Sequence, residues 1–244
     1  MGGRGAGSNF AAPQPIAAPT STPSGFTLDD VQKMDDQQLH DFLIDVDKTD
    51  VPDFLNKHHL QKMVYALGMN DTPEIVSQKE FDDMTVNAPF GSAMPVIYRT
   101  VNDTSVGGVK LTADDICDMI TDGDTTYMGN GVHGDGLYFS NDLSGSKAYG
   151  DSTARTVGAV LNSKAKTISE ANLKKLYDNF IKTHPQTRKA LGFAKQRGSH
   201  WKNSLSQFAL TQGYNVITYK QTFSGETYFT VLDRSVLTMT RKRY

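Results

Sequence analysis

The chain of 244 residues is long enough to bury one sizeable hydrophobic core, or one core with a small accessory module. Its 25 Lys and Arg residues against 27 Asp and Glu residues leave a formal net charge of −2, which argues against a strongly basic nucleic-acid-binding protein and against an acidic disordered protein. No apolar run approaches the roughly 18 residues of a membrane-spanning helix, and the N-terminus lacks the apolar core of a signal peptide. We therefore expect a soluble, cytoplasmic protein that does not contact a membrane.

The N-terminal third begins with a polar tail and continues into an acidic helix. Residues 1–25 consist mostly of Gly, Ala, Pro, Ser and Thr. Such a segment buries too little apolar surface to offset the entropy of ordering, so we predict a disordered tail. Residues 26–47 place apolar side chains at helical spacing and predict a helix that Thr27 or Asp29 caps. Seven Asp against one Lys make the outer face of this helix acidic.

Two further helices complete a predicted helical N-terminal region, residues 26–88. Residues 51–68 predict the second helix, which ends at a glycine in the usual C-terminal manner, and residues 74–84 predict a short third one. The rest of the chain, residues 89–244, mixes helical and strand periodicity and predicts a domain of class α+β. Its predicted strands are residues 95–101, 156–161, 214–219, 227–233 and 236–239. Its predicted helices are residues 112–121, 167–183 and 199–211, the second with Thr167 and Glu170 as a capping box.

Cysteine and histidine usage predicts that the protein has no metal site. The single cysteine, Cys117, excludes an internal disulfide and a multi-cysteine metal centre, and we expect it to be a small, reduced core residue. His58 and His59 are adjacent in the chain, whereas the two ligands of a zinc pair on a helix are four residues apart. We therefore interpret both histidines as structural.

The most informative stretch is the glycine-rich segment 125–150. Its glycines at positions 129, 131, 134 and 136 permit positive φ angles and a close approach of the backbone to a ligand. The stretch is neither a Walker loop, which continues with Gly-Lys-Ser/Thr, nor a Rossmann turn, which continues with a helix instead of a strand. Two features distinguish the segment from an ordinary glycine-rich turn. They are the run Gly-Asp-Gly-Leu-Tyr-Phe-Ser at residues 134–140 and the second tyrosine, Tyr149, eleven residues after Tyr138.

Three separated segments together resemble the ADP-ribosyltransferase superfamily, which includes bacterial mono-ADP-ribosylating toxins and the poly(ADP-ribose) polymerases. Residues 97–100 (Ile-Tyr-Arg-Thr) are similar to the first-strand motif, where toxins carry Tyr-Arg-Gly and the polymerases His-Gly. Residues 134–149 are similar to the polymerase segment Gly-x-Gly-Ile-Tyr-Phe-Ala, with its second tyrosine at the same interval. Residues 224–236 are similar to the late strand headed by the catalytic glutamate. The resemblance implies an α+β fold with a split, two-sheet core and NAD in the cleft between the sheets.

The resemblance also implies that NAD is a co-substrate and that four side chains act on it. Glu226 would be the catalytic carboxylate, which holds a ribose hydroxyl and stabilises the positive charge that develops as the nicotinamide–ribose bond breaks. Tyr138 and Tyr149 would sandwich the nicotinamide ring by aromatic stacking. Arg99 would contact the pyrophosphate or a ribose through its planar guanidinium.

Further positions complete the implied NAD site. The backbone of Thr100 would bind the nicotinamide amide, Ser140 would orient Glu226, and Gly134 and Gly136 would let the loop backbone approach NAD. Position 99 is Arg, as in toxins, whereas the 134–149 segment is polymerase-like. Thr100 stands where the family has glycine. Ser224, two residues before the glutamate, replaces the Glu of arginine-modifying toxins, which argues against an arginine target.

The basic stretch 164–202 bears on which macromolecule would accept ADP-ribose. It contains ten Lys and Arg against two Asp and Glu, with Phe193 and Trp201 interleaved. Such runs are usually solvated helix faces, but this one also suits a nucleic acid or an acidic protein as the acceptor. The acidic helix could pack on this stretch and regulate access to it, and a regulatory partner protein is a further hypothesis.

The resemblance thus predicts a mono-ADP-ribosyltransferase that transfers ADP-ribose from NAD to a macromolecule. An NAD glycohydrolase with water as the acceptor remains an alternative, as does a catalytically inactive NAD-binding or structural protein with the same fold. Residues 1–8 are similar to the start of many phage and prophage proteins, which favours a phage-encoded or bacterial effector. Such a protein would act in the bacterial cytoplasm or arrive there by a phage or secretion route.

Overall fold

The computed structural model describes residues 24–48, 59–69, 72–89, 91–106, 109–123, 130–131, 134–191, 200–222 and 224–244. Residues 1–23 of the predicted disordered tail, and most of the first half of the predicted helix 51–68, lie outside this part of the chain. Within the described residues, no helix combines the length and the apolar character that crossing a membrane requires.

Three helices open the described chain: α1 (Leu28–Val31), α2 (Asp36–Lys48) and α3 (His59–Ala66). Thr27 caps α1 as predicted, in a capping box with Asp30. The expectation of one continuous helix over residues 26–47 is wrong. The amide of Asp35 donates to the side chain of Gln38 (3.0 Å) and the amide of Gln38 donates to the carboxylate of Asp35 (2.9 Å), a reciprocal pair that starts a new helix.

The predicted helix over residues 74–84 is wrong in its first half. Strand β1 (Glu74–Ile75) stands there, and it pairs in parallel with residues 238–239 near the end of the chain. Helix α4 (Gln78–Thr85) begins after it, where Ser77 and Glu80 form a capping box. The N-terminal region therefore contributes an edge strand to the sheet as well as helices.

The remaining elements follow in chain order and confirm the α+β class. They are β2 (Ile97–Val101), β3 (Thr104–Val106), β4 (Val109–Leu111), α5 (Ala113–Asp122), β5 (Asn130–Gly131), β6 (Gly134–Asp135), β7 (Leu137–Ser140), α6 (Leu143–Lys147), β8 (Arg155–Leu161), β9 (Thr167–Ser169), α7 (Glu170–Thr183), α8 (Pro185–Ala190), α9 (His200–Thr211), β10 (Val216–Lys220), β11 (Thr227–Val231), a 3-10 turn (Arg234–Val236) and β12 (Leu237–Arg243).

Thr167 does not open a helix. It begins β9, which pairs in parallel with β10, so the backbone of this segment is extended. Ser169 is the actual N-cap of α7, and its hydroxyl accepts a hydrogen bond from the amide of Asn172 at 3.3 Å. Glu170 is the first residue of the helix instead of the third, and its carboxylate pairs with Lys174 at 2.6 Å.

Eight strands form one large sheet in the order β1-β12-β8-β2-β7-β11-β10-β9. Its inner pairs are antiparallel, and its two outermost pairs are parallel. Strands β2 and β8 pair over five residues, whereas the register joins β2 to β7 at Tyr98 and Ser140. The sheet thus consists of two four-stranded halves with a narrow joint between β2 and β7.

Two apolar clusters pack against the sheet. One joins the N-terminal helices to α7, α8 and α9, so residues from both sides of the predicted boundary at residue 88 share a core; its members include Val31, Leu43, Leu60, Tyr177, Phe208 and Leu232. The other packs α5 against the central strands; its members include Ile97, Ile116, Phe139, Val157 and Leu237. Cys117 is buried in this second cluster, as expected.

Candidate active site

Strands β7 and β11 bring Glu226 next to Ser140. Their antiparallel register places Tyr228 directly opposite Ser140. Asn141 fixes the ends of both strands, because its amide donates to the carbonyl of Thr227 (3.0 Å) and its side-chain oxygen accepts from the amide of Thr227 (2.8 Å). Glu226 immediately precedes β11, so its position follows from that of Thr227.

The hydroxyl of Ser140 donates a hydrogen bond to Oε1 of Glu226. The same hydroxyl oxygen accepts a hydrogen bond from the amide of Asp142 at 2.9 Å. A serine hydroxyl has one proton, and the amide of Asp142 occupies one of its lone pairs. The proton of Ser140 is therefore directed to the carboxylate.

Helix α6 packs its backbone against the carboxylate of Glu226. The side chain of Asp142 caps this helix by accepting from the amide of Ser144 at 3.0 Å. A Cβ atom at Gly145 would lie 2.7 Å from Cδ and 2.8 Å from Oε2 of Glu226. Real Cβ atoms do not approach so closely, so a side chain at this position would displace the Glu226 carboxylate from its present place.

Tyr149 and Tyr228 lie beside the Ser140–Glu226 pair. The hydroxyls of Tyr149 and Tyr228 lie 3.3 Å apart. Burial raises the pKa of Tyr228, and the neighbouring Tyr149 hydroxyl and Glu226 carboxylate raise it further. Tyr149 is 67% exposed, so the face of its ring is open to a ligand.

Thr100 holds α6 and the neighbouring strand to the site. Its hydroxyl lies 3.0 Å from the hydroxyl of Ser146 in α6 and 2.8 Å from that of Thr156 in β8. Two residues on, the side-chain amide of Asn102 donates to the carbonyl of Tyr149 at 3.0 Å. The end of β2 therefore positions both α6 and the backbone of Tyr149.

Arg99 is buried and lies on the other face of β2 from Thr100. Its neighbours on that face, Ile97 and Val101, belong to the apolar cluster under α5. The guanidinium donates from Nη1 to the carbonyl of Tyr138 at 2.9 Å and so links β2 to β7 near their joint. The structure thus places Arg99 as a tie between the two half-sheets, and its contact with the pyrophosphate or a ribose stays a prediction.

Tyr138 and the loop glycines surround the same strand. Tyr138 is partly buried and alternates with the core residues Leu137 and Phe139, so it shares a face of β7 with Ser140. Gly136 has a φ of 146°, and a Cβ there would lie 2.7 Å from the carbonyl oxygen of Val231, so close packing against β11 requires this glycine. Gly134 pairs with Gly131 in a short hairpin. The roles of Tyr138, Gly134 and Gly136 in binding NAD stay predictions.

The structure adds residues that the sequence analysis did not single out, namely Asp142, Gly145, Ser146 and Tyr228. Tyr228 had a usable signal, because residues i and i+2 of a strand share a face and Tyr228 follows Glu226 by two. Gly145 had none, because a glycine within a short helix reveals its purpose only when the opposing side chain is known.

The described residues also bear on metal binding and on the basic stretch 164–202. They contain no group of three or more His, Cys, Asp or Glu side chains that could hold a metal ion. Within the basic stretch 164–202, exposed cationic side chains in the described part are Lys164, Lys166, Lys175, Lys182, Arg188 and Lys189. Phe193, Lys195 and Arg197, and the side chains of Trp201 and Lys202, lie outside the described residues.

Comparison with known proteins gives no functional assignment, because no family model, no curated protein and no solved structure matches the chain. The chemistry available around Glu226 must therefore be judged from the contacts themselves.

Proposed function

We propose that the protein is a mono-ADP-ribosyltransferase, which cleaves NAD at the nicotinamide–ribose bond and transfers ADP-ribose to a macromolecule. The hydrogen bond from Ser140 to Glu226 carries this proposal. The two residues are 86 positions apart in the chain, and they belong to two of the three segments that resemble the superfamily. Their contact is what the proposed reaction needs, because a carboxylate that stabilises developing positive charge must be held in a fixed orientation.

The reaction would proceed with a balanced exchange of groups. The bond between nicotinamide and ribose C1 breaks and nicotinamide leaves with the bonding electrons, while positive charge develops on the ribose. Glu226 would hold a ribose hydroxyl and face this charge. A nucleophilic atom of the acceptor then bonds to C1 and loses its proton to water. The proton directed from Ser140 keeps the carboxylate in place throughout.

Aromatic surface beside the carboxylate supports a ring-shaped substrate group. Tyr149 offers an exposed ring, and its hydroxyl lies 3.3 Å from that of Tyr228, the residue opposite Ser140. Tyr138 lies on the same face of β7 as Ser140 and would provide the second stacking surface. Arg99 would act through the carbonyl of Tyr138, which it holds at 2.9 Å.

The eight strands form one continuous sheet instead of the split, two-sheet core that the resemblance implies. Its two four-stranded halves meet at Tyr98 and Ser140, and the Glu226 contact lies at this joint. We propose that NAD binds on the face of the sheet at this joint. The exposed cationic side chains of residues 164–189 support an anionic acceptor, such as a nucleic acid or an acidic protein, as the macromolecule.

The test is nicotinamide release from NAD by wild type and by Glu226→Gln, each with and without a bacterial lysate. We expect release that depends on Glu226 and rises with lysate, with label from adenylate-labelled NAD appearing on a macromolecule. Glu80→Gln is the matched control, because Glu80 lies in the capping box of α4 and glutamine retains that role. Digestion of the labelled product with nuclease or protease then identifies the acceptor class.

The alternatives give different results in the same assay. Release that lysate does not stimulate, with free ADP-ribose as the product, would identify an NAD glycohydrolase. NAD binding without release would identify a non-catalytic NAD-binding protein, and neither binding nor release would reject the proposal.

A further inference from the structure

We propose that Asn102 is a positioning residue, whose side-chain amide holds the turn after α6 so that the ring of Tyr149 meets NAD in one place. This inference rests on the proposed function, in which Tyr149 stacks on the nicotinamide ring. Asn102 follows the last residue of β2, and both polar atoms of its side chain are hydrogen-bonded to the backbone of this turn.

The side chain of Asn102 pairs with the turn as a peptide group of a neighbouring strand would. Its Nδ2 donates to the carbonyl of Tyr149 at 3.0 Å, and its Oδ1 accepts from the amide of Asp151 at 3.0 Å. A carbonyl can only accept and an amide N–H can only donate, so the two bonds fix the orientation of the side-chain amide. Ionised aspartate would lack the donor at this position, and alanine would lack both groups.

The turn that Asn102 holds is compact and closed on itself. The amide and the hydroxyl of Thr153 both donate to the carboxylate of Asp151, at 2.8 and 2.6 Å. At Gly150, between the two residues that Asn102 binds, a Cβ atom would lie 3.0 Å from Cγ2 of Thr100. The backbone of the turn therefore packs closely against the end of β2, and Asn102 joins the two as one piece.

Tyr149 depends on this backbone support because its side chain is largely exposed, at 67%. Its own amide donates to the carbonyl of Ser146 at 3.2 Å, so α6 holds one side of the residue and Asn102 holds the other. A stacking surface that is in place before the substrate arrives lowers the entropy cost of binding. Asn102 therefore acts on NAD through Tyr149.

Steady-state kinetics of nicotinamide release test this role. Asn102→Asp keeps the acceptor for the amide of Asp151 and loses the donor to Tyr149. We expect the KM for NAD to rise by about threefold to tenfold, the usual effect of one lost hydrogen bond, and kcat to stay within about twofold, because the contact of Ser140 with Glu226 remains. A fall in kcat at an unchanged KM would overturn the proposal.

The matched control is Asn87→Ala, which should keep the wild-type KM and kcat. Asn87 is exposed, and its side chain donates at 3.4 Å to Asp83 of the adjacent helix α4, away from the candidate site. A double-mutant cycle then tests whether Asn102 acts through Tyr149. Tyr149→Ala should raise the KM by itself, and Asn102→Asp should add nothing to it, because no ring is left to place. An equal rise of the KM in both backgrounds would overturn the proposal.

A second measurement follows the turn without any NAD chemistry. Asn102→Ala removes the acceptor of the Asp151 amide, so hydrogen exchange of this amide should become faster by roughly tenfold. The amide of Ile116, which donates to the carbonyl of Thr112 at 3.1 Å in α5, should exchange as in wild type and so report an intact fold. Unchanged exchange of the Asp151 amide would overturn the proposal.

The two measurements separate the two proposals. Faster exchange in Asn102→Ala, without nicotinamide release by any protein, would refute the proposed function and with it the role of Asn102 toward NAD. Nicotinamide release by wild type, with an unchanged KM in Asn102→Asp, would refute the role of Asn102 alone.

Discussion

Asp36 and Glu226 are two carboxylates that each connect distant parts of the chain, but they receive different hydrogen-bond donors. Asp36, at the start of α2, accepts from the amides of Gln186 (3.0 Å) and Thr187 (2.8 Å) at the start of α8. Glu226 accepts from the hydroxyl of Ser140. The first carboxylate caps a helix through backbone amides, whereas the second is held by a side chain.

This difference separates a structural carboxylate from a candidate catalytic one. The first amides of a helix have no partner within the helix, so Asp36 is committed to satisfying α8. Burial alone would raise the pKa of Asp36, but the amides of Thr187 and Gln186 outweigh it and hold this pKa below its usual range. The carboxylate of Glu226 has lone pairs beyond the one that Ser140 occupies, so it can accept a ribose hydroxyl as well.

The Asp36 contact also refines the hypothesis that the acidic helix covers the basic stretch. Helix α2 does pack on α8, within residues 164–202, but through a helix cap and a shared apolar cluster that includes Leu39, Phe42 and Ala190. Removal of residues 1–50 would therefore strip part of a core. A regulatory role for the acidic helix stays a prediction, and point variants test it better than a truncation.

Among variants that keep Glu226 itself, the largest expected effect comes from Gly145→Ala. The new methyl group would lie within 2.8 Å of the Glu226 carboxylate and would force it away from Ser140. We expect nicotinamide release to fall by roughly 10² or more, as for other losses of a preorganised charged group. Ser144→Ala, on the exposed side of the same helix, should retain wild-type release. Wild-type release by Gly145→Ala would contradict the placement of Glu226.

The second effect comes from Ser140→Ala, which removes the donor and leaves the carboxylate. A hydrogen bond to a charged group contributes roughly 1.5–3 kcal/mol, so we expect kcat to fall by about one to two orders of magnitude. The affinity for NAD should change little, because the carboxylate and both tyrosines remain. Steady-state kinetics of nicotinamide release measure both quantities. A loss confined to KM would show that Ser140 contacts NAD instead of orienting Glu226.

The third effect concerns stability and leaves the catalytic site intact. Asp36→Asn keeps one oxygen acceptor and loses the other, and we expect a loss of about 1 kcal/mol in the free energy of unfolding at pH 7. Because the folded pKa of Asp36 is lowered, its contribution is present above the ordinary carboxyl pKa of 3.8 and disappears as the pH falls through the folded value. Denaturation curves of wild type and variant should therefore converge as the pH falls through the folded pKa of Asp36.

The control for this prediction is Asp41→Asn in the same helix. Asp41 accepts hydrogen bonds from its helix neighbours Gln37 and His40 and contacts no other element through them. Its variant should unfold at the same denaturant concentration as wild type. A constant difference between Asp36→Asn and wild type from pH 7 to pH 2 would contradict the capping account.

The smallest expected effect is the reactivity of Cys117. Burial raises the pKa of this thiol to about 11, so about one molecule in a thousand carries the reactive thiolate at pH 8. We expect negligible labelling by a thiol reagent in native wild type, Gly145→Ala and Ser140→Ala, and complete labelling in denaturant. Rapid labelling of one native variant would show that its lost activity comes from an opened fold.

The sequence predicted the elements well where local signals agree with the tertiary structure. Helix α5 begins after Thr112 because the residue caps it in a box with Asp115, a signal that is visible in the sequence. The break after α1 has an equally local signal, the Asp35–Gln38 pair. Strand β9 had no comparable local signal, because Thr167 is extended through its pairing with Val216 in a segment about fifty residues later.

The candidate site likewise contains residues that sequence motifs identify and residues that only the tertiary structure reveals. The motifs identified Ser140 and Glu226, which the structure brings together. Strand alternation could have added Tyr228. Gly145 and the hydroxyl contacts of Thr100 with Ser146 and Thr156 depend on how α6 and β8 meet β2, which local patterns do not encode.

The most direct test of the central claim combines two quantities measured on one preparation of Glu226→Gln. Calorimetry should give an NAD affinity within about threefold of wild type, because the amide keeps the size of the side chain and the aromatic surfaces remain. Nicotinamide release should fall by roughly 10² to 10⁴, because the charge that stabilises the transition state is gone. Release at the wild-type rate by a folded Glu226→Gln protein would contradict the account.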